Sequence, residues 1–215
     1  MKKNGSTPPK RPNILKLILE DVRDDFQRTR LEKHLARAGD CLKLGDLQPM
    51  QQLAHLSVGR AWLALADFYA DHRPEDPALA TDSYRKALEC KDWFNRPSRL
   101  DEEYDRRRFL GIGTSQDLRT LVKEWKSARF PGYERETQLA WIHACGPAEL
   151  RDLREAWWWV AVAEARWGQC RDVALPTLSA GELHEHLVKS VRNDERQALH
   201  EKAKEYAYAE FVSGK

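Results

Sequence analysis

The chain has 215 residues, with 36 Lys and Arg against 34 Asp and Glu and a formal net charge of +2. Hydrophobic residues make up 41% and charged residues 33%, which suits one domain or slightly more with a real core, and eleven Gly and ten Pro are too few for a collagenous or low-complexity chain. The longest unbroken apolar run, Ala156 to Ala163, is about half of the ~18 residues that span a bilayer, so no membrane-spanning helix is expected.

Residues 1–12 set Lys2, Lys3, Lys10 and Arg11 among Gly, Ser and Pro and read as a flexible basic arm. No apolar stretch precedes Pro12, so the arm is not a secretory signal, and a cytoplasmic location is expected. Residues 13–215 read as one all-helical domain, with a candidate subdivision near 92–114. Ile14, Leu15, Leu17, Ile18, Val22, Phe26, Leu31 and Leu35 recur at helical steps, with Asn13 as N-cap and Gly39 as the stop. A second helical block follows Pro49, with Gly59 as its candidate break, and residues 72–77 read as a turn. Ala78 to Cys90 then form a shorter helix. Residues 92–110, with Trp93, Phe94 and a mixed-charge run from Asp101, are the least regular part. Thr114 with Asp117, or Ser115, caps a helix from about Gln116 to Lys126. Pro131-Gly132 separates it from a helix holding Leu139, Trp141, Ile142 and Cys145. Gly146-Pro147 is a stop followed by a start, and the next helix runs from Leu150 to about Trp167. Ser179 and Glu182 form a capping box, and Asn193 or Asp194 starts the last helix.

No window alternates apolar and polar residues as a half-buried strand does. The expected fold is therefore all-α, with eight to ten helices in stacked antiparallel hairpins. Trp62, Leu65, Ala66 and Tyr69 fall at the offsets W-x2-L-G/A-x2-Y, and Ala80, Tyr84 and Ala87 at A-x3-Y-x2-A. This unit, Ala61 to Leu88, resembles a tetratricopeptide repeat, and its longer turn resembles the Sel1-like variant. The resemblance implies a degenerate helical array, in which a concave face binds a peptide or protein. An irregular helical bundle is the alternative architecture.

The chemistry-bearing residue types do not assemble into a catalytic motif. Glu20, Asp21, Asp24 and Asp25 share helix faces at i, i+4 and are a possible Mg²⁺ group. Asn193, Asp194, Gln197 and Glu201 resemble the second metal motif of class I terpene synthases, but Gln197 replaces its hydroxyl residue. A Mg-dependent all-α enzyme is thus the distant alternative. His184 and His186 point about 200° apart on a helix and cannot share an ion. His143 and Cys145 carry no supporting nucleophile signature, and Gly111-Ile112-Gly113 lacks a preceding strand and a Lys-Ser/Thr. The four cysteines form no CxxC pair and are expected to be packed thiols. No cofactor, metal or catalytic residue is expected.

Arg and Trp carry the remaining signal. Arg supplies 22 of the 36 basic residues, and eight residues are Trp; both types are enriched at binding hot spots. Trp157, Trp158 and Trp159 fan across ~200° of one helix, so either that helix is central and buried on most sides or one Trp is exposed. Trp159 is the outward candidate, together with Glu155 and Arg166. The expected function is a non-catalytic adaptor that binds another protein through Trp62, Tyr69, Arg73, Arg151, Arg154, Trp158 and Trp159. The alternative is a nucleic-acid-associated helical subunit, using Lys10, Arg11, Arg106, Arg107 and Arg108.

Overall fold

The computed structural model describes residues 14–91, 96–128, 132–168 and 173–213. Lys10, Arg11, Trp93, Phe94 and Cys170 lie outside the described residues, as do the side chains of Glu20, Asp21, Asp24 and Asp25. Among the described residues the chain is all-α, with ten α-helices, one 3-10 turn and no strand. None of the described helices is long and apolar enough to cross a membrane. The fold divides at Arg96–Pro97 into two compact units.

The first unit holds α1 (Ile14–Lys43), α2 (Gln48–His55), α3 (Gly59–His72) and α4 (Pro77–Glu89). Helix α1 does not stop at Gly39. Ala38 and Leu42 both enter the core, so burial carries the helix through the glycine. It closes at Gly45, which has φ +84°; the Gly45 N–H donates to Leu42 O at 2.9 Å and the Asp46 N–H to Cys41 O at 3.0 Å. That is a Schellman closure, with glycine in the left-handed position. A Cβ added at Gly39 meets nothing within 4 Å. Gly39→Ala is therefore expected to raise stability by about 1 kcal/mol; an unchanged urea midpoint would count against the helix running through this site.

The break between α2 and α3 lies at Leu56–Val58, ahead of Gly59, which opens α3. Ser57 takes φ 61°, its N–H donates to Ala54 O at 2.9 Å, and the Val58 N–H reaches Leu53 O at 3.3 Å. A serine thus fills the position usually given to glycine, while Val58 and Leu53 both join the apolar cluster. Helix α3 packs most extensively on α4. Ala66, Ala80 and Ala87 are fully buried, which brings the two helices close, and Tyr84 OH donates to Asp67 Oδ1 at 2.8 Å.

The second unit holds α5 (Ser98–Leu110), α6 (Leu118–Ser127), α7 (Tyr133–Cys145), the 3-10 turn Ala148–Leu150, α8 (Leu153–Trp167), α9 (Ala180–Ser190) and α10 (Asn193–Ser213). The run expected to be irregular is thus mostly helix α5. Two buried anchors, Leu100 and Phe109, fix it, and Glu103 pairs along the helix with Arg106 and Arg107, each at 2.8 Å. Asp117 caps α6 by accepting from Thr120 N–H at 3.1 Å. Helix α8 begins at Leu153 rather than Leu150, because Asp152 accepts from the N–H groups of Arg154 and Glu155, both at 3.0 Å. The Ser179–Glu182 capping box is complete: Glu182 N–H donates to Ser179 Oγ at 3.2 Å and Ser179 N–H to Glu182 Oε2 at 2.7 Å. Helix α8 lies centrally, packed on α7, α9 and α10, and its Ala156, Ala161, Val162 and Ala163 are almost fully buried.

Candidate functional site

In the first unit, Trp62 and Tyr69 lie two turns apart on α3 and are half-buried. Trp62 meets His55 of α2 edge-on at 6.0 Å, and Lys86 Nζ of α4 sits 4.6 Å from its ring centroid. Lys86 is also paired with Asp82 at 2.7 Å. Tyr69 OH accepts from Gln51 Nε2 at 3.3 Å. Both aromatics therefore join α3 to its neighbours. Arg73 is exposed just beyond the end of α3.

In the second unit, the tryptophan triplet is placed differently from the expectation. Trp159 does not face outward: both Trp157 and Trp159 are only 6% exposed. Helix α8 is covered on several flanks, so a ~200° fan of indoles still fits inside. Trp159 Nε1 donates to Glu155 Oε1 at 3.0 Å, and that carboxylate pairs with Lys126 of α6 at 2.9 Å. Trp157 Nε1 donates to Arg196 O at 3.2 Å, and the Arg196 guanidinium lies over its ring at 5.5 Å. Trp158 is half-buried and meets Tyr206 of α10 at 5.7 Å.

Arg166 is the second correction. It is 11% exposed, and it pairs with Glu136 of α7, a carboxylate with no exposed surface. Its guanidinium also lies 5.3 Å from the centroid of Tyr206. Trp167 Nε1 donates to the other Glu136 oxygen at 3.2 Å, yet 52% of Trp167 remains exposed. Trp158, Arg166, Trp167 and Tyr206 thus form one aromatic and arginine cluster, seated on the buried carboxylate. Burial pushes the Glu136 carboxyl up from its ordinary value; Arg166 and the Trp167 hydrogen bond pull against it. Helical spacing in the sequence sets Arg166 on the face of Trp159 rather than of Trp158. Glu136 and Tyr206 come from α7 and α10 and had no local signal.

The other named arginines are engaged or dispersed. Arg151 is exposed and its Nε donates to Gly146 O at 2.6 Å. Arg154 is exposed and reaches Glu195 at 3.3 Å. The run Arg106 to Arg108 is not a free basic patch. Arg106 grips Glu103 through two bonds of 2.8 Å, Arg107 reaches the same carboxylate at 2.8 Å, and Arg108 reaches Glu124 at 2.6 Å.

Burial raises the Cys145 thiol above its ordinary value, which disfavours the nucleophilic thiolate. His184 of α9 and His200 of α10 face opposite oxygens of Glu164 on α8, at 3.4 and 3.9 Å, where the three helices meet. No group of three or more His, Cys, Asp or Glu among the described residues is placed to hold a metal ion. In comparisons with known proteins, no family model, no curated protein and no solved structure matches the chain.

Proposed function

We propose that the chain is a non-catalytic interaction module, and that its second unit binds another protein through the Trp158–Arg166–Trp167–Tyr206 surface. One observation carries the reading. Trp167 leaves half of a large indole in water, beside a guanidinium and two further aromatic rings that are already fixed in place. A rigid Trp/Tyr/Arg surface loses little side-chain entropy on binding, and these residue types dominate interface hot spots. Arg154 lies in the first turn of the same helix and Arg151 just before it, both exposed but at the end away from Trp167.

The test is affinity purification with the full chain and with Trp167→Ala, using Trp167→Phe and a thermal melt of each as fold controls. A protein recovered near stoichiometry with the wild type, and reduced about tenfold or more with Trp167→Ala, is the expected result. Equal recovery with both chains would remove this surface from the function. Recovery of nucleic acid whose binding falls steeply with salt would replace the proposal with the nucleic-acid reading.

A further inference from the structure

His143, in the last turn of α7, is buried, and the two nitrogens of its ring are treated unequally. Nδ1 lies 2.7 Å from the carbonyl oxygen of Leu150. A carbonyl can only accept, so the neutral ring carries its proton on Nδ1. Nε2 is then a bare lone pair, buried and without a hydrogen-bond partner among the described residues. The same short connection is fastened twice more. Asp152 N–H donates to His143 O at 2.8 Å, and Arg151 Nε donates to Gly146 O at 2.6 Å.

The charged groups acting on the ring come from two neighbouring helices. Lys126 belongs to α6; Glu155 belongs to α8, and Asp152 caps it. Lys126 and Glu155 pair with each other at 2.9 Å and largely offset one another. Burial therefore dominates and holds His143 below its ordinary value. The Leu150 hydrogen bond works against this, Lys126 adds to it, and Glu155 and Asp152 oppose it.

We propose that His143 is a proton-sensitive latch on the α7–α8 connection: the closed connection accepts only the neutral ring, so a proton can settle on Nε2 only when residues 146–152 open. The cation still donates from Nδ1 to Leu150 O, but it also places a charge and a second N–H at Nε2, where the described residues offer no hydrogen-bond partner. Opening loosens Asp152, the cap of α8, together with Arg151. The sign follows from proton linkage. The unfolded chain takes up a proton as pH falls through about 6.5, whereas the folded unit resists it. Stability is therefore undiminished above that pH and is lost as pH falls below it. The latch does not depend on the binding surface around Trp167.

The test compares the full-length wild type with His143→Asn at about pH 7.5 and about pH 5.5. The Asn side-chain amide can donate to Leu150 O in place of Nδ1–H but does not titrate. Hydrogen exchange is measured on the amides of residues 146–152 and corrected for the intrinsic pH dependence of exchange. In the wild type, exchange there is expected to rise about threefold or more relative to the rest of the unit at the lower pH, and His143→Asn is expected to show no such rise. An equal response in both chains overturns the latch. If His143→Asn does not fold, NMR titration of the wild-type His143 ring decides. A ring still neutral near pH 5.5 supports the latch; an ordinary midpoint near 6.5 with unchanged loop exchange overturns it.

Discussion

Arg166→Met is expected to destabilise the second unit by about 3–5 kcal/mol at pH 7 to 8. The residue removed is nearly buried, and the residue left behind is worse placed. Glu136 has no exposed surface, and without the guanidinium its carboxylate keeps the Trp167 N–H, which donates to Oε2 at 3.2 Å, but no cation beside it among the described residues. A buried carboxylate stripped of its cation escapes the cost by binding a proton. Burial already pushes the Glu136 carboxyl up, and removing Arg166 pushes it further. The folded value then lies above the unfolded one. The loss is thus greatest at high pH and shrinks as pH falls toward the raised value. The double variant Arg166→Met with Glu136→Gln removes both charges, and it is expected to recover a substantial part of the loss. Urea unfolding followed by Trp emission measures these effects. Six of the eight Trp lie after Pro97, so emission mainly reports the second unit. A loss under about 1 kcal/mol with no pH dependence would show that the pair is not a buried charge couple.

The parts of the fold legible in sequence are those whose cause is local. The Ser179–Glu182 capping box closes within four residues, and the turn before Pro77 is written in its own prolines. The small-residue contact of α3 with α4 follows from helical spacing, which sets Ala66 on one helix and Ala80 and Ala87 on the other, all fully buried. The misreadings share one physical origin, which is context arriving from distant residues. Helix α5 has a polar surface on most sides, and its two apolar anchors, Leu100 and Phe109, are too few to mark a stripe. Gly39 looks like a stop until Leu42 is seen to enter the core beyond it. The triplet leaves open in sequence whether α8 is central or Trp159 exposed, and only the packing of α7, α9 and α10 around it decides for the first. The candidate surface was half visible for the same reason. Trp158 and Arg166 lie on one helix about 80° apart, whereas Glu136 joins Arg166 across thirty positions of chain.

Trp125→Ala is expected to cost about 3–5 kcal/mol, from a lost indole and a cavity that its neighbours close only in part. Trp125 is 2% exposed and among the largest fully buried side chains. It packs near Phe109 of α5, with ring centroids 6.2 Å apart, and belongs to the same apolar cluster as Leu118, Leu121 and Leu139. Its polar end has a separate job. Trp125 Nε1 donates to Asp105 Oδ2 at 3.0 Å, and that carboxylate also meets Arg135 of α7 at 2.6 Å. Three helices therefore converge on Asp105. Trp125→Phe separates the two roles, because it keeps an aromatic ring in the core but removes the N–H. It is expected to cost about 1–3 kcal/mol, less than the alanine variant. Burial pushes the Asp105 carboxyl up against the pull of Arg135 and of the Trp125 hydrogen bond. Without that donor the folded value rises further, so the cost of Trp125→Phe should diminish as pH falls toward it. Urea midpoints of the wild type and both variants at neutral and mildly acidic pH make the comparison. If Phe and Ala cost the same, the Asp105 bond rather than the packing of the ring holds α6 in place; if Phe costs nothing at any pH, packing alone does.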